Sequence, residues 1–291
     1  MSIIASAVVL VALVTACSVP TAAPPTTVDE PTMDAVPEAV ALLPEDTRQR
    51  GTLRVAIPTN EPPTQFYREG TQEMTGINPD IARLLAGALG MDLAIEVTTF
   101  ETIIPGMSAG RYDLTVSSMT PTEERMEQLD FVDYVQMGSA LAVPTGNPRG
   151  ISFDTLCGRR VAVLKGSYQL TANIPDLDAA CTGAGEEALE VLQFQDTRQA
   201  VSALLSDRAD VVYADSPILG HAVSQDPRLE IGEENDVAPV AVGIPHEAGT
   251  LDAVATALAA VIASSEYQSV LAQYGLESMA ISEARVNVPQ G

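Results

Sequence analysis

Asp113-Leu114-Thr115-Val116-Ser117-Ser118-Met119-Thr120-Pro121-Thr122-Glu123-Glu124-Arg125 decides the fold. Asp113 to Ser117 reads as a short strand, and Thr120-Pro121-Thr122-Glu123 as a capping box opening a helix. A strand that runs straight into a capped helix is a βα unit, and the unit recurs on both sides. Upstream, Leu53 to Ile57 is a strand closed by Pro58. Asn78-Pro79-Asp80 starts a helix, with Asn78 as N-cap and proline in the first turn. Ile81, Leu84, Leu85, Ala88 and Leu89 follow at helical spacing until Gly90. Leu93 to Val97 is a strand, and Phe100, Ile103, Ile104 and Met107 form a helix face that ends at Gly110. Leu141-Ala142-Val143 is a strand before a break rich in Pro and Gly.

A second series starts after Gly150. Strands at 161–164, 190–193 and 211–213 each precede a helical stretch, the last opening at Asp215-Ser216-Pro217. Pro239 to Ile244 reads as a strand, and helices follow over 251–262 and 266–274. Two βα series predict an α/β protein of two lobes, each built on a mainly parallel sheet.

The composition sets limits. The 291 residues suit one large or two medium domains. A net charge of −24 repels phosphate backbones and argues against nucleic acid. Hydrophobic residues at 46% exclude global disorder. With three cysteines, no CxxC and two histidines, His221 and His246, no zinc site has ligands at a familiar spacing, and neither metal nor cofactor is expected.

The N-terminus reads as an address. Ile3 to Ala16 is an apolar or small-residue run, too short for a membrane span and suited to a signal-peptide core, although no base precedes it. Val14-Thr15-Ala16-Cys17 resembles a bacterial lipobox, which makes residues 1–17 a lipoprotein signal peptide and Cys17 the lipidated residue. A plain signal peptide, or a short anchor left uncut, is the alternative. Residues 18–49 carry Pro20, Pro24, Pro25, Pro31, Pro37 and Pro44, and read as a disordered tether reaching roughly 30 Å. Outside the cytoplasm Cys157 and Cys181 can pair, which in a chain-entropy account adds roughly 3 kcal/mol. Two free buried thiols are the alternative.

Open α/β sheets bind ligands beyond the carboxyl ends of their strands. Glu61 follows the first strand. Ser118, Thr120 and, one turn on, Arg125 follow the strand at 113–117. Ser167 and Tyr168 follow the strand at 161–164, and Asp215 the strand at 211–213. Hydroxyls, backbone N–H groups and a guanidinium suit a carboxylate, and an aspartate suits an ammonium. Together they match the two ends of a zwitterion. Each residue also has a plainer role. Thr120, Ser167 and Asp215 can be helix caps, Arg125 a surface base among acids, Glu61 a solvated loop acid and Phe100 simple core. Gly106-Met107-Ser108-Ala109-Gly110 fits GxSxG, but a helix face precedes it and a strand follows, the reverse of a nucleophile elbow. Gly183-Ala184-Gly185 lacks the third glycine of a dinucleotide fingerprint.

From about Gly51 to Leu276 the ordered pieces resemble the extracellular solute-binding proteins of polar amino-acid ABC importers, of the actinobacterial lipoprotein type. They are Glu61-Pro62-Pro63, Gly76-Ile77-Asn78-Pro79-Asp80, Gly110-Arg111-Tyr112-Asp113-Leu114, Ser118-Met119-Thr120-Pro121-Thr122-Glu123-Glu124-Arg125, Lys165-Gly166-Ser167 and Ala209-Asp210-Val211-Val212-Tyr213-Ala214-Asp215. The resemblance implies a periplasmic-binding-protein-like (type II) clamp that closes by hinge motion. Lobe 1 would span 50–142 plus 238–291 and lobe 2 145–235, with crossings near Pro144 and Ala238. It implies that Arg125 holds the α-carboxylate with Ser118, Thr120, Ser167 and Tyr168, that Asp215 holds the α-amino group, and that Phe100 packs on the ligand. It also implies a Cys157–Cys181 disulfide, a monomer without catalytic residues, an ABC permease as partner, and lipid anchoring at the outer face of the cell membrane. Glu61 departs from the pattern, because many relatives carry an aromatic there. Thr64 likewise replaces an aromatic, and Tyr274 stands where many have Trp. A carboxylate in a less aromatic pocket points to a cationic or polar amino acid. The alternatives are a sensor that hands its closed state to a receptor and a dehydratase on the same fold.

Overall fold

The computed structural model describes residues 30–290. The signal peptide, Cys17 and the tether up to residue 29 lie outside the described residues.

The described chain begins with two short helices, α1 (Pro37–Ala41) and α2 (Glu45–Arg50). This corrects the tether, which does not extend to residue 49. Val36, Ala39, Val40 and Leu43 have helical spacing that the prolines around them disguise. Ala39 and Leu43 are buried in the main core of lobe 1, and the Val36 N–H donates to Ala88 O at 2.8 Å. If Leu43 is core, Leu43→Ala costs about 2–5 kcal/mol and lowers Tm by several degrees at this size. A scanning-calorimetry trace that does not shift would return the segment to the tether.

Next come β1 (Thr52–Ile57), β2 (Phe66–Tyr67), β3 (Met74–Thr75), α3 (Ile77–Ala88), β4 (Asp92–Val97), α4 (Ile103–Ser108), β5 (Leu114–Met119), α5 (Glu123–Met126) and β6 (Leu129–Pro144). The second series is β7 (Arg160–Leu164), α6 (Ile174–Gly183), β8 (Glu190–Phe194), α7 (Thr197–Leu205), β9 (Val211–Asp215), α8 (Ser216–Gln225) and β10 (Leu229–Pro245), followed by α9 (Leu251–Ile262) and α10 (Ser265–Gln273). The strand order is β4-β1-β5-β10-β6-β9-β7-β8. β1 pairs parallel with β4 and β5, and β7 pairs parallel with β8 and β9. Each lobe is thus an α/β layer with a mainly parallel sheet, as the sequence predicted.

The two lobes are joined by β6 and β10, which run antiparallel through both. Sequence reading recovered only the ends of these strands. Asp133, Gln136 and Gly138 interrupt the apolar pattern of β6, and the acidic start of β10 reads as a loop. Ala238 pairs with Met137, while Asn235 pairs with Ser139, and the register shifts between them. The first crossing therefore lies at Gly138 and not near Pro144, which ends a strand of lobe 2.

The helix starts need two corrections. Asn78 is not an N-cap: α3 starts at Ile77 behind Gly76, and Asn78 sits buried in the first turn. At Gly76, φ is +120° and a Cβ would lie 2.5 Å from Thr64 O, so only glycine fits. The cap of α5 is Thr122, whose hydroxyl accepts from Arg125 N, and not Thr120. The apolar face of α3 packs with α9 on the sheet through Ile81, Leu84, Leu85, Val254 and Leu258. Cys157 and Cys181 form a disulfide that ties the approach to β7 to α6.

Candidate functional site

A cavity of about 250 Å³ lies between the lobes, at the carboxyl ends of β1 and β5 on one side and of β7, β8 and β9 on the other. All eight residues singled out from the sequence line it: Glu61, Phe100, Ser118, Thr120 and Arg125 from lobe 1, and Ser167, Tyr168 and Asp215 from lobe 2. The lobes touch across it. The Thr197 N–H donates to Glu61 Oε1 at 2.7 Å, Arg125 Nη2 to Gly166 O at 2.9 Å, and Arg198 Nη1 to Asn60 Oδ1 at 2.9 Å.

Arg125 is no surface base. The single turn of α5, capped by Thr122, aims it inward, and it is 6% exposed. Its Nη1 donates to Thr120 O at 2.7 Å, and its guanidinium carbon sits 5.6 Å from the Phe100 ring centroid. Phe100 therefore serves both as core and as a platform under the cation. Among the described residues no carboxylate forms an ion pair with Arg125. Burial pulls its pKa down to about 10, against the attraction of Asp215. Two carbonyls orient this guanidinium without neutralising it, which leaves its charge available to an anion.

Asp215 stands at the N-cap position of α8 but makes no capping hydrogen bond. Its Oδ1 accepts from Gln169 Nε2 at 2.8 Å, and the same nitrogen reaches Ser139 Oγ at 2.8 Å. Burial pushes the carboxyl up to about 6. Ser167 does act as a cap, because its Oγ accepts from Leu170 N at 3.2 Å, yet its own proton stays free to be donated. Ser118 has both its N–H and its Oγ engaged by protein groups behind the cavity wall.

Glu61 is not solvated. It is 2% exposed, and burial pushes its carboxyl up to about 8 despite the hydrogen bond from Thr197. Glu61 Oε2, Thr59 Oγ1 and Thr197 Oγ1 are buried with no hydrogen-bond partner, and all three residues line the cavity. Glu61 Oε2 is a pure acceptor, and the hydroxyls of Thr59 on lobe 1 and Thr197 on lobe 2 can each accept or donate, a set that suits a ligand with several N–H groups.

Sequence reading missed Gln169, Thr59 and Thr197. Gln169 carried no signal beyond following Ser167-Tyr168. Thr197 follows β8, and listing what comes after that strand, as for the others, would have found it. The GxSxG serine, Ser108, ends α4, bonds to Ile104 O and does not line the cavity.

Known proteins share this architecture. Residues 53–277 match the family model of bacterial extracellular solute-binding proteins, family 3. The chain is 32% identical over 256 residues to the arginine-binding protein ArgT of Corynebacterium glutamicum, covering 87% of this chain and 84% of that one. The solved structure of an ancestral arginine-binding protein bound to arginine superposes with a TM-score of 0.71 at 29% identity, over 77% of this chain and 98% of that one. An ancestral amino-acid-binding protein described as a precursor of cyclohexadienyl dehydratase gives 0.70 at 26% identity, over 79% and 98%.

Proposed function

This chain belongs to the bacterial extracellular solute-binding proteins of family 3, and we propose that it captures a cationic amino acid, arginine above all, for an ABC importer. It works outside the cytoplasm, as the family does. One observation carries the choice of ligand: the cavity holds a guanidinium without an ion-pair partner among the described residues, together with the carboxyl groups of Asp215 and of the buried Glu61. This is the complement of a zwitterion with a cationic side chain. The α-carboxylate would sit on Arg125 with the hydroxyls of Thr120, Ser167 and Tyr168. The α-amino group would sit on Asp215. A guanidinium has five donors in a fixed fork, enough for Glu61 Oε2, Thr59 Oγ1 and Thr197 Oγ1 together. The arginine named for the curated and solved relatives agrees with this reading.

Closure is part of the recognition. Glu61 and Arg125 each bond to the opposite lobe, so a ligand that satisfies both also holds the clamp shut. No bond is broken in this proposal: the closed protein is handed to a permease and opened there. The curated relative is a binding protein, and neither the sensor nor the dehydratase alternative gains support from it. Lipidation at Cys17 and a monomeric state complete the proposal.

Differential scanning calorimetry with L-arginine and with agmatine, which lacks the α-carboxylate, tests this. L-arginine at 100-fold its Kd stabilises by about 2.7 kcal/mol. Agmatine gives no comparable shift. Equal protection by both would remove the carboxylate seat from Arg125.

A further inference from the structure

Tyr134 and Asn78 do not line the cavity, yet they build its wall. Both are fully buried, Tyr134 on β6 and Asn78 in the first turn of α3. The Tyr134 hydroxyl donates to Asn78 Oδ1 at 2.6 Å. Asn78 Nδ2 donates to Ser118 Oγ at 3.0 Å and to Gln65 Oε1 at 2.5 Å. The Ser118 N–H donates back to the Tyr134 oxygen at 2.9 Å. The three residues close a ring of hydrogen bonds running from Tyr134 to Asn78 to Ser118 and back, with a longer contact of 3.4 Å from Ser118 Oγ back to Asn78 Oδ1.

The ring encloses a strained residue. Ser118 has φ +54°, in the left-handed region that a serine occupies only when its surroundings impose it. Two residues later Thr120 presents the carbonyl that Arg125 Nη1 grips at 2.7 Å. Ser118 lies at a bulge within β5, where the register against β10 shifts, and this left-handed turn of the strand sets where Thr120, and with it the Arg125 guanidinium, sits in the cavity. Ser118 has no N–H left to offer an anion, and its Oγ is held by Asn78.

We propose that Tyr134 and Asn78 are positioning residues for ligand binding: their hydrogen-bonded ring with Ser118 holds the left-handed turn that seats Thr120 and Arg125 for the ligand's carboxylate. The binding half of this proposal rests on the amino-acid reading above. The geometric half does not.

Tyr134→Phe keeps the ring packed and removes the hydroxyl. Isothermal titration should show L-arginine and L-lysine weakened alike, by about tenfold, equivalent to about 1.4 kcal/mol, with their ratio unchanged. A seat for the shared carboxylate moves both ligands together, whereas a side-chain contact would move one. Adding Ser118→Gly on the Tyr134→Phe background should recover a good part of the loss, because glycine takes φ +54° without penalty. An unchanged Kd with a lowered Tm would reduce the ring to packing and overturn the proposal, as would a changed ratio. The crystal structure of Tyr134→Phe, or of Asn78→Ala if the first does not fold, gives a readout without ligand. Ser118 should leave the left-handed region and the bond from Arg125 to Thr120 should be lost. A retained turn and bond contradict the proposal even if the wild-type protein binds no amino acid, an outcome that would refute the functional reading alone.

Discussion

Arg125→Ala is expected to remove amino-acid binding almost entirely while the protein stays folded. Truncating one partner of a buried, hydrogen-bonded charge pair costs about 2–5 kcal/mol, a loss of roughly 30- to 4000-fold in Kd. The fold should tolerate the change because the Arg125 side chain hydrogen-bonds only to the carbonyls of Thr120 and Gly166, and the residue lies on the single turn of α5, whose cap uses its main-chain N–H. Removing a desolvated cation that has no ion-pair partner can even raise Tm in the absence of ligand. Arg125→Lys keeps the charge, but an ammonium cannot span the two carbonyls and still present a bidentate face, so it should recover only part of the affinity. Isothermal titration with L-arginine, with circular dichroism to confirm folding, reads the result. A Kd within threefold of wild type for Arg125→Ala would place the anion elsewhere.

Glu61→Gln should convert the clamp from one selective for cations to one that no longer distinguishes them. Arginine affinity is expected to fall by about a hundredfold, the scale of losing a buried charge-assisted contact, while glutamine affinity holds or improves. The pH dependence follows from the sign of the shift. In this structure, with no cation beside it, burial raises the Glu61 carboxyl from the ordinary 4.5 to about 8, and because Glu61 bonds to Thr197 of the opposite lobe, opening the cleft is expected to relieve that shift. Closure on a neutral ligand is therefore easiest below about pH 4.5, where the group is protonated whether open or closed, and becomes progressively harder as pH rises towards 8. A cationic side chain beside the carboxylate cancels that cost. Selectivity for arginine over glutamine should thus grow between pH 5 and 8 in the wild type and lose this dependence on Glu61 in Glu61→Gln. Asp215, pushed up to about 6, contributes the same sign to any ligand without an ammonium. Titrations of both ligands at pH 5, 6.5 and 8 measure it, and a flat ratio in the wild type would exclude Glu61 as the selectivity determinant.

The parts of the molecule legible in the sequence are those set by local periodicity. Ile81, Leu84, Leu85 and Ala88 mark α3, and the stretch 251–262 coincides with α9, because each helix buries one regular stripe. The βα order placed Glu61, Thr120, Arg125, Ser167 and Asp215 at strand ends, and strand ends are where two facing α/β lobes leave a cleft. What was illegible depends on tertiary contact. β6 and β10 are long because each half has a sheet to join, which rescues Asp133 and the acidic start of β10 from looking like loops. α1 and α2 are folded because the core of lobe 1 accepts Ala39 and Leu43. Asn78 looked like a cap because asparagine before proline usually is one, and only the Tyr134 hydroxyl and the turn at Ser118 show why it is buried instead. Gln169 and Thr197 enter the site through contacts with Asp215 and Glu61 that span long stretches of chain.

The crystal structure of residues 30–290 with L-arginine tests the central claim most directly. The account predicts the α-carboxylate on the Arg125 guanidinium, the α-amino group on Asp215, and the side-chain guanidinium within about 3 Å of Glu61 Oε2. An arginine lying the other way round, with its guanidinium at Asp215 and Glu61 without a ligand contact, would contradict it.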